Sequence, residues 1–319
     1  MILSCSRRTD IPAYYSEWLI HRLRAGTVCV VNPFNPKQIS RVDIRPEVVD
    51  GIVFWSKNPK LLMNHLKEID QLGYNYYFQF SLTPYDKDLE SGLPPKTELV
   101  ETFIELSELI GKEKVNLLYN PIVITEKYSV AYHLRAFEQL CQRLSQHTEK
   151  VMISFVDAYK KNSKQFKTHG IQTISNEDKR QMAGQLKGIT NRYGLVLETC
   201  SEAMDLSYLG IQHGKCIDGD RIERIAGYQI MNKDKRDGTR EACGCMKCID
   251  IGQYNNCLNG CIYCYANTNG PSVMANHRLH KVDSEILIGE LDEDLVTERK
   301  GIKSYRIDEE EEGQIGLFD

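Results

Sequence analysis

VNLLYNPIVITEKYSVAYHLRAFEQLCQRLSQHTEKVMISFVDA, residues 115–158, carries the fold in miniature. Its first ten residues, VNLLYNPIVI (115–124), are strand-sized and nearly all apolar, as expected of a strand buried on both faces of a parallel sheet. The next segment sets Tyr132, Leu134, Phe137, Leu140, Cys141 and Leu144 along one face of a helix. VMISFVDA (151–158) is a strand again. A strand, a helix and a strand in this order make a crossover unit.

The alternation extends in both directions. ILSCS (2–6), GIVFWS (51–56), NYYFQFSL (75–82) and LVLETCS (195–201) complete a set of six runs, each separated by room for a helix. TELVETFIELSELIGK spaces Leu99, Phe103, Leu106 and Ile110 at a helical period. NEDKRQMAGQLKGITNRYG starts at Asn176 as N-cap and stops at Gly194 as C-cap. The expected fold is α/β, a (β/α) barrel or partial barrel of six or more parallel strands spanning residues 1–202. An open doubly wound sheet is the alternative, although no G-x-G-x-x-G follows the first strand. Residues 203–304 form a cysteine-rich region expected to complete the barrel mouth, with a short helix at 219–227. Residues 305–319 are an acidic, flexible tail. No internal repeat is present.

The composition is that of an ordinary globular chain, 41% hydrophobic and 26% charged over 319 residues. Its apolar runs are far shorter than a membrane span. The N-terminal MILSC runs directly into Arg7 and Arg8, unlike a signal peptide. A cytoplasmic location is expected. In a reducing compartment the 11 cysteines are metal ligands or core residues rather than a disulfide framework. The net charge is −4, but residues 284–319 hold 12 acidic and four basic side chains, so the remainder is mildly basic. That excess is too small to establish nucleic-acid binding.

In a barrel, chemistry gathers where strands end. Ser6, Arg7, Arg8, Thr9 and Asp10 follow the first run, Ser56, Lys57 and Asn58 the second, and Thr83 the third. Asn120, Asp157 and Glu202 hold comparable places later. Loop residues are commonly polar without any function. The paired arginines are more pointed, because a guanidinium fork binds carboxylate or phosphate with two hydrogen bonds.

NNCLNGCIYCYAN (255–267) contains Cys257, Cys261 and Cys264 at C-x3-C-x2-C spacing. Structural zinc usually takes four ligands, often from two C-x2-C pairs, so three thiols at this spacing suit it poorly. Three thiolates on a cubane iron–sulfur cluster leave one iron open. Cys200, Cys216, Cys243 and Cys245 are a candidate second set for an auxiliary iron–sulfur cluster or a zinc ion, with Cys248 set aside because it opens the extended run CIDIGQY. Cys5, Cys29 and Cys141 read as core thiols.

The C-x3-C-x2-C motif resembles that of radical S-adenosylmethionine (SAM) enzymes. The resemblance implies a 4Fe-4S cluster on Cys257, Cys261 and Cys264, SAM on the open iron, Tyr263 near the adenine, and reductive cleavage to a 5′-deoxyadenosyl radical. It also implies an electron donor such as flavodoxin or ferredoxin. No GGE segment, which often contacts the SAM amino group, is present; Arg7, Arg8, Ser56 and Glu202 are the candidate replacements. CIYCYA is similar to the motif of the spore photoproduct lyase branch, so the unknown substrate is expected among DNA or nucleotides. SCSRRTDIPAYY, NPFNPKQISRV, VFWSKNP, YFQFSLTPY and DIGQYNNCLNGCIYCYAN together resemble an uncharacterised bacterial domain-of-unknown-function family with radical-SAM-like C-terminal cysteines. If the barrel is circularly permuted, CIDIGQY is the strand ahead of the cluster loop and lies beside ILSCS.

QIGLF, Gln314–Phe318, resembles the short peptide by which bacterial DNA-handling proteins dock on the sliding clamp, here on the tether RIDEEEEG. KKNSKQFK (160–167) and KDKRDGTR (233–240) are candidate phosphate contacts. The alternative to an enzyme is a zinc-binding, non-catalytic nucleic-acid or sliding-clamp module.

Overall fold

The computed structural model describes residues 1–156, 163–236 and 242–307. It opens with β1 (Ile2–Cys5), two short helices α1 (Ile11–Tyr14) and α2 (Ser16–Ala25), and a hairpin of β2 (Thr27–Asn32) and β3 (Asn35–Asp43). The crossover units follow: β4 (Gly51–Ser56), α3 (Lys60–Met63), α4 (Leu66–Gln71), β5 (Tyr76–Ser81), α5 (Lys96–Ile110), β6 (Val115–Ile122), α6 (Val130–Leu144), β7 (Lys150–Phe155), α7 (Ser163–Thr168), α8 (Asn176–Arg192) and β8 (Val196–Thr199). The C-terminal part holds β9 (Gln212–His213), α9 (Gly219–Ala226), β10 (Ile249–Asp250), α10 (Gly270–Arg278) and β11 (Val296–Glu298).

The main sheet has eight strands in the order β10-β1-β4-β5-β6-β7-β8-β9. All neighbours in it are parallel. Parallel neighbours require crossovers, and the helices read from the 3.6-residue spacing, α5, α6 and α8, supply three of them. The α/β class is therefore as expected. A closed barrel is not: β10 and β9 are the two edges, with no ladder between them among the described residues.

Strand alternation gives the sheet two faces. Leu3, Ile52, Phe54, Phe78, Leu117, Tyr119 and Ile153 meet the helices, packing on Trp18, Phe103, Phe137, Leu144 and Leu186. Ile2, Val53, Tyr77, Leu118 and Met152 point the other way, against Cys216, Ile217, Ile222, Cys243, Cys245 and Met246. The cysteine-rich segment is thus the layer over this second face.

Local signals behaved as their chemistry requires, with two exceptions. Ser175, not Asn176, caps α8, its side chain accepting from the Asp178 N–H; Gly194 follows in the left-handed region at φ +67°, where glycine carries no Cβ penalty. The β2–β3 hairpin, joined in parallel by β11 in a separate three-stranded sheet, had no counterpart among the expected strands. Half of β3 is exposed and polar and contains Pro36, so its first residues lack the apolar alternation of a core strand. Cys5, Cys29 and Cys141 are buried, as read. No helix among the described residues is long and apolar enough to cross a membrane.

Candidate functional site

β10 is only two residues long, yet it places the cysteine loop. It lies parallel to β1, pairing Leu3 with Ile249 and Ser4 with Asp250. The Asp250 carboxylate accepts from Ser4 Oγ (2.8 Å), Ser6 Oγ (2.6 Å), the Arg7 N–H (2.9 Å) and the Gly252 N–H (3.0 Å). Four donors for one buried carboxylate weld the end of β1 to the start of the loop. Gly252 is required by close approach, since a Cβ there would meet the Ser6 side chain.

The loop is then clamped from three sides. Tyr15 OH donates to Asn256 O (2.7 Å) and Tyr14 OH to Asn259 Oδ1 (2.7 Å), both from the segment after β1. Asn259 Nδ2 donates to Asp10 Oδ2 (3.0 Å), a carboxylate that also accepts from Ser56 Oγ (2.7 Å) and the Lys57 N–H (2.8 Å). Burial raises the Asp10 pKa against these hydrogen bonds. From the segment after β5, the Gly92 N–H donates to Asn259 O (3.0 Å), and Leu89 O accepts from the Ile262 N–H (3.1 Å).

The three thiols of this loop share one electrostatic neighbourhood. Burial pushes Cys257 up to about 12, helped by the charges of Asp10 and Cys264 and opposed by N–H groups of Asn259 and Asp10 on its sulfur. Cys261 is raised well above the usual thiol range by burial first and then by Glu90. Cys264 Sγ accepts the Ala266 N–H at 3.2 Å. Among the described residues, no three His, Cys, Asp or Glu side chains close on one point as a single metal ion would require. Backbone N–H groups on the sulfurs of Cys257 and Cys264 favour the thiolate form against burial.

Beside Cys261 lies a buried polar group. Lys57 Nζ donates to Glu90 Oε1 (2.8 Å) and Thr83 Oγ1 (3.2 Å), and Thr83 donates to the same carboxylate oxygen (2.6 Å). Lys96 and the Tyr263 hydroxyl also bind Glu90. Burial works to raise Glu90, but Lys57 and Lys96 outweigh it and hold the carboxyl at about 2. The Tyr263 ring meets Tyr85 edge-on, with centroids 5.7 Å apart.

Of the expected cofactor residues, Arg7, Arg8, Ser56 and Tyr263 converge at this end of the sheet. Arg7 Nη2 donates to Cys248 Sγ (3.4 Å) and Arg8 Nη1 to Gly252 O (3.2 Å). Ser56 is committed to Asp10. Glu202 stands apart, accepting from the Phe155 N–H (2.6 Å) at the end of β7. Asn120 belongs to β6 itself rather than to the loop beyond it. Asp157 and Gln314–Phe318 lie outside the described residues, as do 160–162 and 237–240 of the two basic segments. Lys233 is held in ion pairs with Asp220 (3.0 Å) and Glu223 (2.8 Å). A cavity of about 560 Å³ lies further out, between Asp88, Lys127, Tyr128 and His169.

Glu90, Lys96, Asn259 and Asp250 were not among the expected site residues. An aspartate within the apolar run CIDIG was a usable signal for Asp250. Glu90 and Lys96 lie in or beside a turn-rich stretch that gives none.

A family described as a domain of unknown function, DUF1848, has a model that matches residues 2–266. No curated protein matches the chain. Among solved structures, a Bacteroides thetaiotaomicron protein described as a candidate alpha-L-fucosidase overlaps with a TM-score of 0.25 and 10% identity, over 49% of this chain and 66% of that one. An overlap so loose carries no conclusion about fold or function.

Proposed function

We infer the function from this chain's own residues, because the chain belongs to the DUF1848 family, a domain of unknown function, and membership brings no activity with it. The reading is a radical SAM-type iron–sulfur enzyme on a circularly permuted strand order. One observation carries it: the loop of Cys257, Cys261 and Cys264 leaves a strand that lies parallel beside β1, so the thiols sit at the same end of the sheet as the residues following β1, β4 and β5.

A 4Fe-4S cluster on these thiolates would supply an electron and an open iron for the amino and carboxylate groups of SAM, the chemistry that yields a 5′-deoxyadenosyl radical. The chain's own groups have definable parts. N–H donors from Asp10, Asn259 and Ala266 direct partial positive charge at sulfur. Lys57, whose ammonium is favoured by Glu90 and Cys261 despite burial, balances negative charge beside Cys261. Arg7 and Arg8 lie at this end of the sheet, and a forked cation would suit the SAM carboxylate. The buried ring of Tyr263 and its aromatic neighbours keep water from one side of the loop.

The test is anaerobic reconstitution with iron and sulfide, reduction, and addition of SAM. Brown protein that forms 5′-deoxyadenosine, with Cys261→Ala folded but inactive, is the expected result. Colourless protein with zinc bound through Cys257, Cys261 and Cys264 would overturn the reading in favour of a zinc-stapled binding module.

A further inference from the structure

The second face of the sheet carries another set of sulfurs. Cys200 follows β8, Cys216 follows β9, and Cys243 and Cys245 flank Gly244 ahead of β10. Cys200 Sγ is 3.2 Å from Cys216 Sγ. Cys216, Cys243 and Cys245 belong to one buried cluster, with Cys200 packed against it. The Ile217 N–H points at Cys245 Sγ at 3.4 Å. Three stretches of chain thus deliver four thiols to one buried cluster, and none of them is in a disulfide. Cys216 is also fixed to the sheet, its carbonyl accepting from Tyr77 OH (2.7 Å) and Gln79 Nε2 (2.5 Å) on β5.

We propose that Cys200, Cys216, Cys243 and Cys245 form a tetrathiolate site for a single thiophilic metal ion, with zinc the ion expected, separate from the loop of Cys257, Cys261 and Cys264. A tetrahedral zinc site with Zn–S bonds of about 2.3 Å holds its sulfurs about 3.8 Å apart. As packed, the four do not surround one point. Cys200 and Cys216 have to part by roughly 0.6 Å to reach that edge, a change within the reach of cysteine side-chain rotation. A cubane cluster is a worse match. Each of its thiolates binds a different iron, which keeps the sulfurs well apart instead of in contact. Four sulfurs complete the coordination of one ion and leave no open position, so the site is structural. On binding, each thiol gives its proton to solvent and the sulfur pair bonds to the metal.

The site has an evident structural task. Between Cys200 and β10 the described chain holds α9, the two residues of β9 and one 3-10 turn, yet this segment covers a whole face of the sheet. A metal joining its two ends replaces the helix packing that secures the other face.

The experiment uses the full chain with Cys257, Cys261 and Cys264 all changed to alanine, so that it is blind to the cluster reading. After incubation with zinc sulfate and desalting, elemental analysis should find about one zinc per chain. Cobalt(II) added after chelator treatment should give the intense sulfur-to-metal absorption of a tetrathiolate. Adding Cys216→Ser or Cys245→Ser should bring zinc close to zero, whereas Cys141→Ser and Cys248→Ser should leave it unchanged. The proposal is overturned if the triple variant keeps no metal, if it binds iron with acid-labile sulfide, if Cys216→Ser keeps its zinc, or if mass analysis finds Cys200 and Cys216 joined in a disulfide.

Discussion

Lys57 Nζ lies 2.8 Å from Oε1 of Glu90 within the cysteine end of the sheet, 5.8 Å from the centre of the Tyr263 ring. This ion pair ties the end of β4 to the segment after β5, and the Tyr263 hydroxyl on Glu90 ties both to the cysteine loop. Removing one member of a buried pair leaves an uncompensated charge, which is more costly than the pair was worth.

Glu90→Ala should therefore lower stability by about 3–5 kcal/mol in denaturant unfolding. The pH dependence has a definite sign. The folded carboxyl titrates at about 2, below its ordinary value, so its contribution is full above about pH 4.5 and is lost as pH falls toward 2. Glu90→Gln should flatten the acid limb of the stability profile in that window. An unchanged limb would show that the pair does not form.

His133 gives a second acid window. Its Nε2 is 3.0 Å from Val123 O, which makes that nitrogen the donor, and Nδ1 then accepts from Tyr119 OH at 2.8 Å. Burial, opposed by the bond to Val123, lowers its pKa to about 4. The neutral ring stabilises the fold fully above about pH 6.5, and the contribution disappears as pH falls to about 4, roughly 3 kcal/mol in all. His133→Gln should remove the fall in unfolding midpoint across that interval.

Gly92→Ala places a methyl against the backbone of Leu258 and Asn259 in the cysteine loop. Overpacking of this kind costs about 1–3 kcal/mol. The loop should shift more than the sheet. Iron uptake on reconstitution should fall while far-ultraviolet circular dichroism stays unchanged, and full uptake would mean that the loop adapts without loss.

Asp250→Asn exchanges one of two acceptor oxygens for a donor, opposite a shell of four donors. A loss of about 3 kcal/mol is expected from broken charge-assisted hydrogen bonds. Thermal unfolding measures it, and a wild-type midpoint would show that β10 is not held by this carboxylate.

The alternation of apolar strands and amphipathic helices determined the α/β class, because periodicity is a local property written in neighbouring residues. The same holds for GIVFWS, which is a strand over those very residues, for α9, and for the three core cysteines. Only tertiary structure brought Asp250 to Ser4, Glu90 to Lys57 and Cys200 to Cys216. Those contacts pair buried polar or sulfur groups across long stretches of chain. What selects them is satisfaction of donors and charges in the interior, and no local spacing encodes it. The two residues of β10 show the division most plainly: CIDIGQY reads as a strand beside ILSCS if the order is permuted, and β10 does pair with β1, but the hydrogen bonds that its aspartate collects there are visible only in the fold.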